Sequence, residues 1–110
     1  MIKHIVAWNF KDEFSHEENL ENARKVKEQL EGLKDIVSGI ISIEVIISPL
    51  KSSSFDVVLV SEFESIEALN GYQVHDEHVK VGTFVKSVFK GVNIIPAGYF
   101  SVFRTDVFVF

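Results

Sequence analysis

Ile2-Lys3-His4-Ile5-Val6-Ala7-Trp8-Asn9-Phe10 opens the chain with nine residues rich in branched and aromatic side chains, a composition that predicts a strand. On a strand His4, Val6, Trp8 and Phe10 share one face, while Ile5 and Ala7 point to the other. Both faces are largely apolar, so the strand is expected to be buried on both sides. Lys11-Asp12-Glu13 ends it.

The next segment explains one of those faces. Ser15-His16-Glu17-Glu18 is a capping box, and Leu20, Ala23, Val26 or Lys27, Leu30 and Leu33 repeat at helical spacing behind it. The rest of that helix is charged, so it has one apolar side and needs a sheet to cover. Ile40 to Ile47 reads as a second strand, with Ile41, Ile43, Val45 and Ile47 on one face and Ile40, Ser42, Glu44 and Ile46 on the other. Ser48-Pro49 and Lys51-Ser52-Ser53-Ser54 follow as a polar loop. Phe55 to Phe63 reads as a third strand. Ser65 caps a short helix through Asn70, Gly71 breaks it, and a further helix covers Val74 to Phe89 with Val79, Val85 and Phe89 inward. Val92 to Ile95 closes the pattern as a short strand ended by Pro96.

The order β-α-β-β-α-β is the split βαβ, or ferredoxin-like, arrangement: an α+β fold with an antiparallel sheet and helices on one face. The helices leave the other face of the sheet bare, yet the first two strands read as apolar on both. Several hundred Å² of such surface, at about 25 cal/mol per Å², supplies on the order of 10 kcal/mol per subunit. Two faces together exceed an association cost of roughly 4–15 kcal/mol, which predicts a two-fold homodimer with sheets face to face.

With 110 residues the chain is expected to be one domain. A net charge of −5 argues against a nucleic-acid or anionic-membrane partner, because both require clustered Lys and Arg. Cysteine is absent, which removes disulfides and thiolate metal sites and points to a reducing cytoplasm. No signal-peptide pattern and no apolar run of about 20 residues is present.

The chemistry concentrates in Tyr72-Gln73-Val74-His75-Asp76-Glu77-His78, one phenol and two imidazoles within two helical turns. An imidazole exchanges protons near neutral pH, and a Tyr hydroxyl donates to a developing oxyanion. A base beside a neutral donor suits enolisation and aldol-type ring closure. The alternative is that Tyr72 and His78 are satisfied polar residues anchoring a helix to the sheet. His75 and His78, three apart, could share an ion, but a third ligand is missing, so no metal and no cofactor is expected. His4 is either a cross-strand hydrogen-bonded core residue or a ligand contact, Trp8 either core or cavity wall, and His16 solvated.

Lys3-His4-Ile5-Val6, Phe10-Lys11-Asp12, Phe63-Glu64-Ser65 and Tyr72 to Val79, in this order and spacing, resemble the stress-responsive dimeric α/β-barrel (Dabb) family over about residues 1–95. The resemblance implies a homodimer whose two sheets form one barrel-like assembly, with a cavity between sheet and helices in each subunit. Members include plant heat-stable stress proteins and a polyketide cyclase. Carried over from that cyclase, Tyr72 and His78 are the catalytic residues and His4 lines the pocket. Phe55-Asp56-Val57-Val58 lacks a further pocket His, Asp76 stands where relatives have Pro, and the apolar residues 96–110 have no counterpart. That extension is expected to pack on the domain or across the dimer, adding a strand or covering a partner.

These readings combine into a small-molecule-binding homodimer holding an apolar or phenolic compound near His4, Trp8, Tyr72, His75 and His78. Two alternatives stand beside it. One is a cyclase-like enzyme with His78 as general base, Tyr72 as oxyanion donor, and His4 and His75 orienting the substrate. The other is a stress-protective or interaction protein without turnover.

Overall fold

Strand β1 (Ile2–Phe10) sits inside an antiparallel sheet of order β2-β3-β1-β4, with β2 at Ile40–Ile47, β3 at Val57–Phe63 and β4 at Phe89–Asn93. The computed structural model describes residues 2–47, 55–93 and 105–107, with residues 91–93 and 105–107 described by backbone only. Helices α1 (His16–Gly32), α2 (Ile66–Val74) and α3 (Asp76–Val88) complete the ferredoxin-like α+β fold. Pairing of Ile2 with Phe63, His4 with Ser61, Val6 with Leu59 and Trp8 with Val57 puts these eight residues on one sheet face. All eight are buried there, most of them in one core with Ala23, Val26 and Leu30 of α1.

The capping box at Ser15 forms as read: Ser15 Oγ accepts from the Glu18 amide at 3.1 Å, and the Ser15 amide donates to Glu18 Oε1 at 3.0 Å. Farther along the helix, Lys27 and Glu31 grip the sheet edge. Glu31 Oε2 accepts from the Val45 amide (2.9 Å), and Lys27 Nζ donates to the Val45 carbonyl (2.6 Å) and to Glu31 Oε2 (2.7 Å). The outer backbone groups at the middle of edge strand β2 are thereby occupied, which blunts strand addition there.

Several boundaries differ from the sequence reading, each for a local reason. A register shift between Ile40 and Ser42 carries Ile40 to the helix side, opposite Phe63, and leaves Ile41 exposed. Strand β3 begins at Val57 because Asp56 is engaged elsewhere: its Oδ2 accepts from the Phe10 amide at 2.8 Å and its amide donates to the Trp8 carbonyl at 3.1 Å. Helix α2 runs through Gly71, where an added Cβ would meet nothing within 4 Å. An exposed glycine costs a helix about 1 kcal/mol without breaking it. The break falls at His75 instead, whose ψ of 136° is extended. Val79 is exposed, not inward, because the buried positions of α3 are His78, Val81, Gly82, Val85 and Val88. Phe89 is buried but opens β4, so that strand starts before Val92, and Ile94 and Ile95 lie outside the described residues.

Strand β4 pairs with β1 only from Ala7 to Phe10. Beside Lys3 to Ile5 the same edge is taken by β5 (Thr105–Val107), which runs parallel to β1. The rest of the 96–110 extension lies outside the described residues. The face turned away from α1, α2 and α3 carries Lys3, Ile5, Ala7 and Asn9 of β1 with Val58, Val60 and Glu62 of β3, a position given by their pairing. It is less uniformly apolar than the sequence suggests. Ile5 and Ala7 are buried within the chain, Val58 and Val60 are half-buried, and Ser42 and Glu44 stand exposed beside them. Among the described residues no helix is long and apolar enough to cross a membrane.

Candidate functional site

Helix α2 is aimed by the turn before β2. Gly39 there has φ +87°, a left-handed conformation, and accepts at its carbonyl from the Glu64 amide at 3.0 Å. Ser65 then caps α2, with Oγ accepting from the Ala68 amide at 3.1 Å. One turn after Ala68, on the same helix face, Tyr72 enters the core and is fully buried.

The structure brings three of the five sequence-derived residues together. The Tyr72 ring lies 4.3 Å from the His78 ring, 6.1 Å from His4 and 4.9 Å from Phe63, centroid to centroid. His4 is 1% exposed and His78 6% exposed. The Tyr72 hydroxyl is buried with no hydrogen-bond partner among the described residues. Leaving such a group unsatisfied costs about 1–3 kcal/mol.

The other two residues stand elsewhere. Trp8 shares the sheet face of His4 but lies four residues along the strand, roughly 13 Å away at about 3.3 Å per residue, and packs on Phe89 at 5.7 Å. His75 is the N-cap of α3, its Nδ1 accepting from the Glu77 amide at 3.1 Å. Two participants escape a reading of the motif alone. Ser61 Oγ lies 3.4 Å from His4 Nδ1 and 3.2 Å from the His4 carbonyl. Its signal was present, as the one polar residue in the inward row Val57, Leu59, Ser61, Phe63. The Gln73 carbonyl, 3.1 Å from His78 Nδ1, has no sequence signal at all.

Hydrogen placement follows from these partners. A carbonyl only accepts, so His78 carries its proton on Nδ1 and keeps its lone pair on Nε2. Ser61 has one hydrogen; with it on the His4 carbonyl, the His4 imidazole donates from Nδ1 as well. Burial and the nearby His78 charge push His4 down to about 4. Burial also lowers His78, opposed by the Gln73 hydrogen bond, and the His75 charge lowers it further. Burial raises the Tyr72 phenol above its ordinary value. At pH 7 the cluster is therefore two neutral imidazoles and one neutral phenol.

This arrangement predicts acid sensitivity. A His4 value depressed from 6.5 to about 4 means that the unfolded chain takes up the proton first. Stability is then complete above about pH 6.5, falls as pH drops toward 4, and levels off below. Between pH 7.5 and 5 the loss from His4 is about 2 kcal/mol, and His78 adds to it in the same direction. Urea unfolding midpoints across that range read the effect; a flat profile above pH 5 would contradict the neutral buried pair.

A family model for the stress responsive A/B barrel domain matches residues 2–95. A dimeric protein of unknown function with a ferredoxin-like fold from Bacteroides fragilis is 30% identical, with a TM-score of 0.75 over 83% of this chain and 88% of that one. An Arabidopsis thaliana protein is 23% identical, with a TM-score of 0.67 over 84% and 89%. The hydroxynitrile lyase of Passiflora edulis, 11% identical, shares the fold with a TM-score of 0.68 over 84% and 87%. No curated protein matches the sequence at a significant level.

Proposed function

Because the chain belongs to the stress responsive A/B barrel domain family, we propose that it works as a homodimer binding a small apolar or phenolic molecule at Tyr72, His78 and His4. One observation carries this reading: a phenol hydroxyl buried without a partner among the described residues, beside two neutral imidazoles. A fold tolerates an unsatisfied buried donor poorly unless something else uses it. A ligand oxygen would accept from Tyr72 Oη, while a ligand hydroxyl would donate to an imidazole lone pair, and the Phe63 ring supplies apolar contact. Dimeric relatives of the same fold support the homodimer.

The hydrogen bond from His78 Nδ1 to the Gln73 carbonyl favours a second, catalytic reading. It leaves Nε2 as a buried neutral base, able to remove a proton alpha to a carbonyl while Tyr72 donates to the resulting enolate oxygen. An enzyme on this fold, the Passiflora edulis hydroxynitrile lyase, shows that the scaffold can host catalysis.

Tyr72→Phe tests the binding reading against a packing role. Removing an unsatisfied hydroxyl should leave the ligand-free protein equally stable or slightly more stable. The same change should weaken binding of phenols or β-diketones, measured by calorimetry, by about tenfold or more. A variant that loses stability while binding is unchanged would make Tyr72 a structural anchor and overturn the proposal.

A further inference from the structure

His75 is the unexpected residue of the motif, because it lies between Tyr72 and His78 in sequence yet its Nδ1 caps a helix. The hydrogen bonds around it form an exchange. In an unbroken helix the Gln73 carbonyl would accept from the amide four residues on, that of Glu77. Here the Glu77 amide donates to His75 Nδ1 at 3.1 Å, and the Gln73 carbonyl lies 3.1 Å from His78 Nδ1. The backbone at His75 is held open from both sides: its amide donates to the Tyr72 carbonyl (3.2 Å) and its carbonyl accepts from the Val79 amide (3.0 Å). The Glu77 carboxylate is turned away, in an ion pair with Lys80 at 3.1 Å.

We propose that His75 is a positioning residue for His78: by accepting the Glu77 amide it releases the Gln73 carbonyl, which then fixes the proton of His78 on Nδ1 and its lone pair on Nε2. The partner of the second nitrogen sets the tautomer of an imidazole base, and a base with the wrong tautomer presents a hydrogen where its lone pair is needed. The role differs from contact with a ligand, because His75 acts only through Gln73 and His78. Its significance for chemistry rests on the reading of His78 as a base, whereas the hydrogen-bond exchange is testable without any ligand.

The experiment is nitrogen-15 NMR of the ligand-free protein at pH 7.5, which reports the tautomer of each imidazole. Wild type should show His78 protonated on Nδ1 and bare on Nε2. His75→Gly, which keeps a tolerated cap residue but offers no side-chain acceptor, should lose this signature, giving a mixture or the opposite tautomer. His75→Asp and His75→Asn, whose side-chain oxygens accept a cap amide, should restore it. Retention of the Nδ1–H tautomer in His75→Gly would overturn the proposal, as would its loss in the folded Asp and Asn variants. Because this readout uses no ligand, its failure is separate from a failure of the Tyr72→Phe binding test.

Discussion

Replacing Gly39 by alanine is expected to lower the unfolding free energy by about 3 kcal/mol, the sum of two independent costs. Gly39 has φ +87°, where an L side chain pays roughly 1–2 kcal/mol. A Cβ built there would also stand 2.5 Å from Ala68 Cβ and 3.5 Å from its Cα, so helix α2 would have to move. Overpacking of that kind costs about 1–3 kcal/mol. At fixed protein concentration the melting temperature should fall by roughly 15 °C, at about 4–8 °C per kcal/mol for a domain of this size. The effect reaches the site, because Ala68 stands one turn before Tyr72 on the same helix. Near-UV circular dichroism of the folded variant should therefore change, since Tyr72 is wedged among Phe63, His78 and His4. Adding Ala68→Gly relieves the contact but not the backbone strain, so it should recover only part of the loss. A Gly39→Ala protein within 1 kcal/mol of wild type would show that α2 is not seated by this contact.

The fold was readable because its main signals are periodic. The period of two in Ile2 to Phe10 sorts His4, Val6, Trp8 and Phe10 onto one face of a strand apolar on both, and the three-four spacing from Leu20 to Leu33 with the Ser15 box marks the helix that packs on the sheet. What escaped depends on single contacts between distant residues. Ile40 reads as sharing a face with Ser42 by counting in twos, and only the shift against Phe63 reverses it. Gly71 carries the stronger breaker signal than His75, yet the helix breaks at His75, where an imidazole captures the Glu77 amide. Val79 points inward on a helix that starts at Val74; with the helix restarting at Asp76, His78 faces the core instead.

The candidate site was legible to the same degree. Tyr72, His78 and His4 were found by residue type and resemblance, and they converge. Trp8 and His75 were grouped with them by face and by proximity in sequence. Four residues on a strand is too far for contact, however, and a cap position turns a side chain back onto its own helix. Ser61 could be noticed as a polar residue in an apolar row, but its link to His4 needs the register of β1 against β3. The tautomer of His78 depends on a carbonyl, a group that every residue has and that no sequence pattern marks.

Val60→Lys should dissociate the proposed homodimer while leaving the subunit folded. Val60 lies opposite Ile5 on one side and Glu44 on the other, in the middle of the face turned away from α1, α2 and α3. In the single chain it is half-buried, so a lysine there can lay its stem along the surface and keep its charge in water. In a sheet-to-sheet dimer the same ammonium would be pressed against the partner, and two-fold symmetry would bring two of them to one interface. Truncated or unpaired buried charges cost about 2–5 kcal/mol each at interfaces, so two together should raise the dissociation constant on the order of 1,000-fold or more. Glu44 and Glu62 on this face weaken the apolar argument at its edge, and Lys3 sits 3.8 Å from Glu62. Ile5 and Ala7 are already buried within the chain, so the association free energy should lie at the half-buried pair Val58 and Val60. Sedimentation over a dilution series, with circular dichroism as the folding control, separates the outcomes. A Val60→Lys protein that stays dimeric at wild-type concentrations would move the interface off this face.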